Sequence, residues 1–377
     1  MHLTNQHERL TETAGARRRV STVSGLTAAF LLLAGWLFPL LAAAAGTGHA
    51  VVFMYHRFGE DDYPSTSVRL EQFEAHLDHL EENDYHVWPL ERIVTRMGEG
   101  KEIPDRTVVI TVDDAYLSVY TEAYPRLRER GWPMTVFVAT DDVDAGRPSN
   151  MSWDQIREMR DSGLVTFANH SATHDYLVRR DRDEPDRAWE ERMRDDINRA
   201  QRRLQEELGE ETNENPRLYA YPFGEYDTRL AEIVTGKGYI AFGQHSGGIS
   251  NIDDPRSLPR FPVNEQFGDL NDFALRARSL AMPVAAVEPW EPILDDNNPP
   301  RMEITLRTGE PVATGRLSCF ASGQGAMEVE WLDAERTRFA VQAERAFGKG
   351  RARYNCTAPH RREGGRFYWF SKQWLND

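Results

Sequence analysis

The chain has 377 residues, which is enough for one large α/β domain and a smaller second domain. Its 60 acidic and 45 basic side chains give a formal net charge of −15. This balance argues against a nucleic-acid-binding protein, whose contact surface would be basic. Charge alone indicates nothing about the fold.

The first 47 residues have the pattern of a targeting segment. Arginines at positions 17–19 precede an apolar stretch, LTAAFLLLAGWLFPLLAAAAG, which contains small residues at 43–45. We predict that residues 1–47 are a cleaved signal peptide or, because the stretch is long enough to span a bilayer, an N-terminal membrane anchor. Both interpretations predict an exported protein, periplasmic or in the cell envelope, with a possible tether to the inner membrane.

From residue 50 to about 285, short apolar runs alternate with amphipathic stretches. The runs predicted as strands are VVFMY (51–55), TVVITV (107–112), MTVFVAT (134–140), LVTFAN (164–169), LYAYP (218–222) and YIAFG (239–243). Helical patterns cover residues 70–80, a segment capped by Ser152, and a long polar stretch around 186–208. Alternating strands and helices predict a parallel sheet, either open or closed into a barrel.

The composition changes near residue 286. Residues 286–300 are rich in Pro, Asp and Asn, which is typical of a linker. Residues 301–377 contain short runs with nearly alternating apolar residues, which predict a small antiparallel β-sandwich. Both cysteines, Cys319 and Cys356, lie in this part. Because disulfides persist outside the cytoplasm, we predict one disulfide between them.

Two adjacent carboxylates, Asp113 and Asp114, end the apolar run 107–112. Burying two acids costs free energy unless a partner or a function compensates for it. His170 and His174 follow another strand and, on a helical turn, would share a face and could reach one cation. The carboxyl ends of parallel strands carry the ligands in such folds, so these side chains should share one rim. One carboxylate could then bind metal while the other acts as a base.

Three motifs, in this order, resemble those of the polysaccharide deacetylases of carbohydrate esterase family four, in their exported bacterial branch. The family's T-F-D-D-G is similar to TVDDA at 111–115, and its H-[ST]-x-x-H is complete as HSATH at 170–174. Its R-x-P-[YF] is similar to AYPF at 220–223. The resemblance covers roughly residues 50–285 and implies a distorted (β/α) barrel as the catalytic domain.

The resemblance also implies roles for individual residues. A divalent metal, with Zn²⁺ as first choice and Co²⁺, Ni²⁺ or Fe²⁺ as alternatives, would be held by Asp114, His170 and His174. Asp113 would be the general base, and the backbone N–H of Phe223 would stabilise the oxyanion. Tyr221 and His56 would line the substrate site.

The chain departs from the family pattern at several positions. Ala115 replaces a glycine, and Ala220 replaces the arginine that would orient the base. That second loss resembles the branch that acts on exopolymers of β-1,6-linked N-acetylglucosamine. The family's general-acid motif is not visible. We assign this role to His245, which follows the last strand-like run, while His56 is the second candidate.

The sequence therefore predicts a metal-dependent hydrolase that removes N-acetyl groups from a polysaccharide containing N-acetylglucosamine. The polymer would be an exopolysaccharide such as poly-β-1,6-N-acetylglucosamine, or peptidoglycan. Two alternatives stay open, an O-acetyl (xylan) esterase with the same site and a non-catalytic glycan-binding protein. A polysaccharide is the expected partner, nucleic acid is not, and the sequence does not indicate the oligomeric state.

Overall fold

The computed structural model describes residues 48–180, 183–251 and 253–376. The predicted signal peptide or anchor, residues 1–47, lies outside these ranges. Within them, no helix combines the length and the apolar character needed to cross a membrane.

The first part of the chain is organised around a largely parallel sheet. In chain order, the strands of this part are β1 (His49–Tyr55), β2 (Arg57–Phe58), β3 (Ser67–Val68), β4 (His86–Val87), β5 (Thr107–Asp113), β6 (Met134–Val138), β7 (Val165–Asn169), β8 (Arg217–Ala220), β9 (Tyr239–Phe242), β10 (Gly248–Ser250) and β11 (Phe261–Pro262). Strands β2 and β3 pair with each other in a separate two-stranded sheet, and the others form the main sheet. The order is β10-β1-β5-β6-β7-β8-β9, with β4 beside β5 and β11 beside β1. Each predicted apolar run forms a strand of this sheet, which confirms the predicted α/β class.

Helices connect these strands. They are α1 (Leu70–Glu82), α2 (Leu90–Gly98), α3 (Tyr124–Glu129), α4 (Thr140–Asp144), α5 (Trp153–Asp161), α6 (Asp186–Leu208), α7 (Thr228–Gly236) and α8 (Leu270–Ala277). The Ser152 side chain accepts a hydrogen bond from Gln155 N, so the predicted cap of α5 is confirmed. Helix α6 buries a stripe that includes Trp189 and Ile197, as its apolar spacing predicts.

A short segment, residues 258–262, closes the sheet into a barrel. On one side Leu258 N donates a 2.7 Å hydrogen bond to Ala241 O, next to β9. On the other side Phe261 pairs in parallel with Phe53 of β1. The closing segment is much shorter than the other barrel strands, so the barrel is irregular. This architecture agrees with the distorted barrel that the resemblance implies.

The last part of the chain forms two sheets packed face to face. Its strands are β12 (Leu280–Ala281), β13 (Val284–Glu288), β14 (Arg301–Leu306), β15 (Ser318–Ala321), β16 (Gly325–Met327), β17 (Glu330–Trp331), β18 (Arg338–Gln342), β19 (Gly350–Pro359) and β20 (Phe367–Asn376). One sheet has the order β12-β20-β19-β15-β16 and the other β13-β14-β18-β17. They share a buried core that includes Phe339, Tyr354 and Trp374. The predicted all-β region is confirmed.

The boundary between the two parts differs in detail from the prediction. Strand β13 begins before residue 286 and extends into the segment predicted as a linker, 286–300. Farther along that segment, Ile293 forms a β-bridge with Leu375 of β20. All the described residues belong to one compact unit, so the division into catalytic and sandwich domains stays a prediction.

The predicted disulfide joins the two cysteines across neighbouring strands. Cys319 on β15 lies opposite Cys356 on β19, and the two are bonded.

Replacing both residues with alanine is expected to lower the free energy of unfolding by about 4 kcal/mol, because the bond closes a loop with a sequence separation of 37. Urea unfolding of the wild type and the double variant measures this difference. Coincident unfolding curves would contradict it.

Candidate active site and metal centre

The polar residues singled out in the sequence lie at the carboxyl ends of barrel strands. Asp113 is the last residue of β5, and His170 directly follows β7. His56 directly follows β1. After Asp113 the chain turns sharply, because Asp114 and Ala115 have φ values of 74° and 53°. These left-handed conformations explain why glycine suits position 115 and why neighbouring acids can point in different directions.

Three side chains from two of these strand ends converge on one point. Asp114 Oδ1 lies 3.3 Å from His170 Nε2 and 3.0 Å from His174 Nε2. The three potential ligand atoms lie within 4.8 Å of one another. This separation is compatible with one shared cation.

The hydrogen bonding of this cluster fits a metal ion. His170 Nδ1 donates a 2.8 Å hydrogen bond to Ala220 O, because a carbonyl oxygen can only accept. His170 Nε2 is therefore left with a lone pair directed at Asp114 Oδ1. Neither of these buried atoms has a hydrogen-bond partner among the described residues. A divalent cation would satisfy both, and the backbone contact on Nδ1 is a typical outer support of a ligating histidine.

The segment between the two histidines differs from its predicted conformation. Residues 170–174 form a loop. The prediction that a helical turn places His170 and His174 on one face was therefore wrong. Ser171 and His174 instead have φ values of 67° and 55°, and this bend brings the His170 and His174 rings to 4.9 Å. Such strained residues persist only where surrounding contacts fix them.

Asp196, which we did not single out in the sequence, fixes this loop. From α6, its carboxylate accepts hydrogen bonds from the backbone N–H groups of Ala172 (3.0 Å) and Thr173 (3.2 Å).

Asp196→Ala is expected to weaken metal affinity by about 10–100-fold, because the loop that carries His174 loses its support. Competition with a chelator measures the affinity. Asp195→Ala, at an exposed neighbour on the same helix, is the matched control; equal affinities in both variants would contradict the prediction.

Asp113 does not join the metal cluster but forms an ion pair with Arg260. Arg260 Nη1 and Nη2 donate hydrogen bonds of 2.7 and 2.8 Å to the two Asp113 oxygens, and both residues are fully buried. Arg260 Nε donates to Gly243 O at 3.0 Å. Burial on its own would raise the pKa of Asp113, but Arg260, together with His170 and His56, outweighs burial and holds this pKa below its usual range. Asp113 is therefore kept ionised.

Arg260 stands in for the arginine that the third motif lacks at Ala220. It lies on the barrel-closing segment, 147 residues from Asp113 in sequence. The available signal was one basic residue inside the apolar stretch LPRFP, residues 258–262. We missed this residue in the sequence because no local spacing relates it to Asp113.

The metal cluster opens into a cavity of about 620 Å³. Residues lining it include His56, Asp114, Tyr116, His174 and Phe223. Phe223 has a φ of 57°, stacks on Tyr176 with ring centres 4.0 Å apart, and meets the His174 ring edge-on. Phe223 and His56 are therefore brought to the site, as expected of substrate-contacting residues.

Two other candidates are not brought to this cavity. His245 lines a separate cavity of about 350 Å³, together with Lys372, and burial lowers the pKa of its imidazole to about 3. A neutral imidazole outside the metal cavity does not fit a general acid. Tyr221 is fully buried, and its hydroxyl donates to Arg256 O at 2.8 Å, so Tyr221 supports the fold rather than lining the cavity.

Comparisons with known proteins agree with the fold and the motifs. A family model described as polysaccharide deacetylase matches residues 100–242. The chain is 25% identical over 244 residues to a poly-beta-1,6-N-acetyl-D-glucosamine N-deacetylase of Escherichia coli K12, covering 56% of this chain and 36% of that protein. It is 26% identical over 217 residues to a protein of the same name from Staphylococcus aureus MRSA252, covering 56% of this chain and 73% of the relative.

A solved structure gives the same result for the fold. The structure of IcaB from Ammonifex degensii superposes with a TM-score of 0.53 and 28% sequence identity, covering 62% of this chain and 97% of the other. The chain spans only about a third of the length of the Escherichia coli relative.

Proposed function

We propose that the chain, which a polysaccharide deacetylase family model matches over residues 100–242, is a metal-dependent hydrolase that removes N-acetyl groups from a polysaccharide containing N-acetylglucosamine. Poly-β-1,6-N-acetylglucosamine is the first candidate polymer, because the named relatives are deacetylases of that polymer. The observation that carries the proposal is the Asp113 carboxylate, held through both oxygens by Arg260, beside three converging potential metal ligands.

We infer that Asp114, His170 and His174 hold the cation. Two imidazoles and one carboxylate leave positions for water and substrate, and Zn²⁺ is the first choice for this set. When bound, such a cation polarises a carbonyl oxygen and lowers the pKa of a water molecule. Two residues outside the ligand set support it. Asp196 fixes the loop between the two histidines, and Ala220 O fixes the orientation of the His170 ring.

Asp113 is proposed as the group that takes the proton from the attacking water. Its pKa is held below the usual carboxyl range, so the base is in its reactive form over a wide pH range. Arg260 holds both oxygens, which fixes the orientation of the carboxylate. The N–H of Phe223, on the turn that borders the cavity, is proposed to stabilise the oxyanion that forms on the acetyl carbon.

His56 is proposed, in place of His245, as the group that delivers a proton to the leaving amine. It lines the same cavity as Asp114, whereas His245 does not. Burial lowers the pKa of His56, and the nearby charges of Asp114 and Asp113 oppose that shift. The two carboxylates would therefore stabilise the protonated imidazole during turnover.

Paired variants separate the two histidines. His56→Gln is expected to lower kcat by about 100-fold or more, the usual contribution of an acid–base group. His245→Gln is expected to leave kcat within about threefold, because its ring lies in another cavity. Acetate release measured with both metal-loaded variants tests this assignment. The reverse pattern would restore His245 as the acid.

We also propose that the protein works outside the cytoplasm. The bonded pair Cys319–Cys356 supports this proposal, because disulfides persist in oxidising compartments. Whether an N-terminal segment tethers the protein is decided by fractionation of cells that produce the full chain. Recovery from washed membranes would support an anchor, and recovery from the periplasmic extract would support cleavage.

Acetate release from defined polymers tests the proposed function. The metal-loaded protein would be incubated with β-1,6- and β-1,4-linked N-acetylglucosamine oligomers, with peptidoglycan fragments and with O-acetylated xylan. Release from an amide substrate that disappears in Asp113→Asn would support the deacetylase. Release from xylan alone would replace it with an esterase. No release from any substrate by a fully metal-loaded protein would favour a glycan-binding protein.

A further inference from the structure

The C-terminal β-region contacts the turn that carries Phe223 and Gly224. From β19, Arg351 Nη1 donates a hydrogen bond to Phe223 O, and from β20, Gln373 Nε2 donates one to Gly224 O at 2.7 Å. These contacts bring the edge of the β-region onto the metal cavity. Arg351, Arg353 and Ser322 consequently line the same cavity as Asp114. The substrate site is therefore built from both parts of the chain.

The two arginines differ in what they contact. They are two residues apart on β19 and so project from the same face of the strand. Arg351 is held by Phe223 O and lies 3.6 Å from Glu225. Arg353 Nε is buried and has no hydrogen-bond partner among the described residues. Burial and then the like charge of Arg351 lower the pKa of Arg353.

A guanidinium whose buried Nε lacks a partner has a cost at this position. Burying a donor without a partner is unfavourable, and two adjacent cations repel each other. Arginine is also the side chain best suited to bind a carboxylate through two parallel hydrogen bonds. An anion bound from outside the protein would give Arg353 a hydrogen-bond partner and would offset the repulsion between Arg351 and Arg353.

The charges around the cavity favour an anion. Asp113 and Arg260 neutralise each other, and Glu225 offsets Arg351. A divalent cation on Asp114 would leave one positive charge, and Arg353 adds another. The cavity of the metal-loaded protein is therefore positive in a chain whose formal net charge is −15. Such a local field selects ligands by charge.

We propose that Arg353 binds a carboxylate of the substrate, so that this deacetylase acts on N-acetylglucosamine whose neighbouring sugar is acidic. The inference rests on the proposed function and replaces its first candidate, the neutral poly-β-1,6-N-acetylglucosamine, with a polymer that carries carboxylates. The carboxylate could belong to a lactyl ether, as in muramic acid, or to a uronic acid, and the two share the group that Arg353 would recognise. The C-terminal β-region then acts as a specificity element.

Matched oligosaccharides test the inference. The metal-loaded protein would be assayed by acetate release on tetramers in which N-acetylglucosamine alternates with N-acetylmuramic acid, with glucuronic acid, or with neutral N-acetylglucosamine. Methyl esters of the acidic tetramers remove the charge and keep the shape. We expect the wild type to have the higher kcat/KM on an acidic tetramer and to lose that preference on its ester. The acidic tetramer that is preferred identifies the source of the carboxylate.

Variants assign the preference to a residue. Arg353→Gln is expected to reduce the ratio of kcat/KM on the acidic and neutral tetramers by about tenfold or more, the size of one charge-assisted hydrogen bond. Arg353→Lys, which keeps the charge without the paired donors, should fall between the two. Arg338→Gln, at an exposed position on the opposite sheet, is the matched control and should leave the ratio unchanged. An unchanged ratio in Arg353→Gln, with normal metal content, would overturn the inference.

Binding separates failure of the inference from failure of the proposed function. Calorimetry with metal-loaded Asp113→Asn, alone and combined with Arg353→Gln, measures affinity without turnover. Acetate release from all tetramers with no effect of Arg353 would retain the deacetylase and overturn the inference. Arg353-dependent binding of the acidic tetramers without any acetate release would retain the carboxylate site and reject the enzyme. If Arg353→Gln only relieved inhibition by added acetate, the anion would be the product, and the proposed polymer carboxylate would be rejected.

Discussion

Asp113→Asn is expected to lower kcat/KM by about 10²–10⁴-fold, the range that a positioned general base contributes. The metal content should stay that of the wild type, because the three clustered ligands do not include Asp113. The asparagine keeps the size of the side chain but cannot take a proton. Acetate release and metal analysis of the same preparation measure both quantities.

The contrast between activity and metal content makes this prediction specific. Asp161→Asn, at an exposed carboxylate that ends α5, controls for a general effect of removing a negative charge. Near-normal turnover in Asp113→Asn would remove Asp113 as the base. Loss of the metal in Asp113→Asn would instead place its carboxylate among the ligands.

Arg260→Met is expected to lower the free energy of unfolding by about 3–5 kcal/mol, because it leaves Asp113 as an uncompensated charge in the barrel interior. In the wild type the lowered pKa of Asp113 stabilises the fold above the pKa of the unfolded chain. That contribution disappears as the pH falls through the native pKa. Urea unfolding at several pH values measures both effects.

The pH dependence of kcat/KM should also show the effect of removing Arg260. Without Arg260 the pKa of Asp113 rises, so the acidic limb of kcat/KM should move to higher pH. The double variant Asp113→Asn/Arg260→Met is expected to be more stable than Arg260→Met alone, because no buried charge is left unpaired. If the double variant lost the sum of the two single losses, the ion pair would not explain the stability of this site.

The elements of this protein that could be predicted are those encoded locally. The run before Asp113 is apolar at successive positions, short and rich in β-branched residues, which is typical of a strand buried on both faces, so β5 could be predicted from the sequence. The stripe of α6 and the Ser152 cap are equally local. The three metal ligands were found because Asp114 sits in one short motif and both histidines in another.

The residues that could not be predicted depend on contacts between distant segments. Arg260 acts on Asp113 only because residues 258–262 close the barrel. His245 likewise lies beside Trp369 and Lys372 of the β-region rather than beside the metal cluster. Asp196 supports the histidine loop from a helix that looks like any other amphipathic helix in sequence.

The position of Arg260 has a consequence for how the protein becomes active. The counter-ion of the base is carried by residues 258–262, the last barrel segment in chain order. A chain that had formed β1 and β5–β9 without this piece would hold Asp113 in an apolar interior with no cation beside it, and the carboxyl group would take up a proton. Such an intermediate could hold metal and still not hydrolyse an amide. An ionised Asp113 therefore requires the closing segment to be in place.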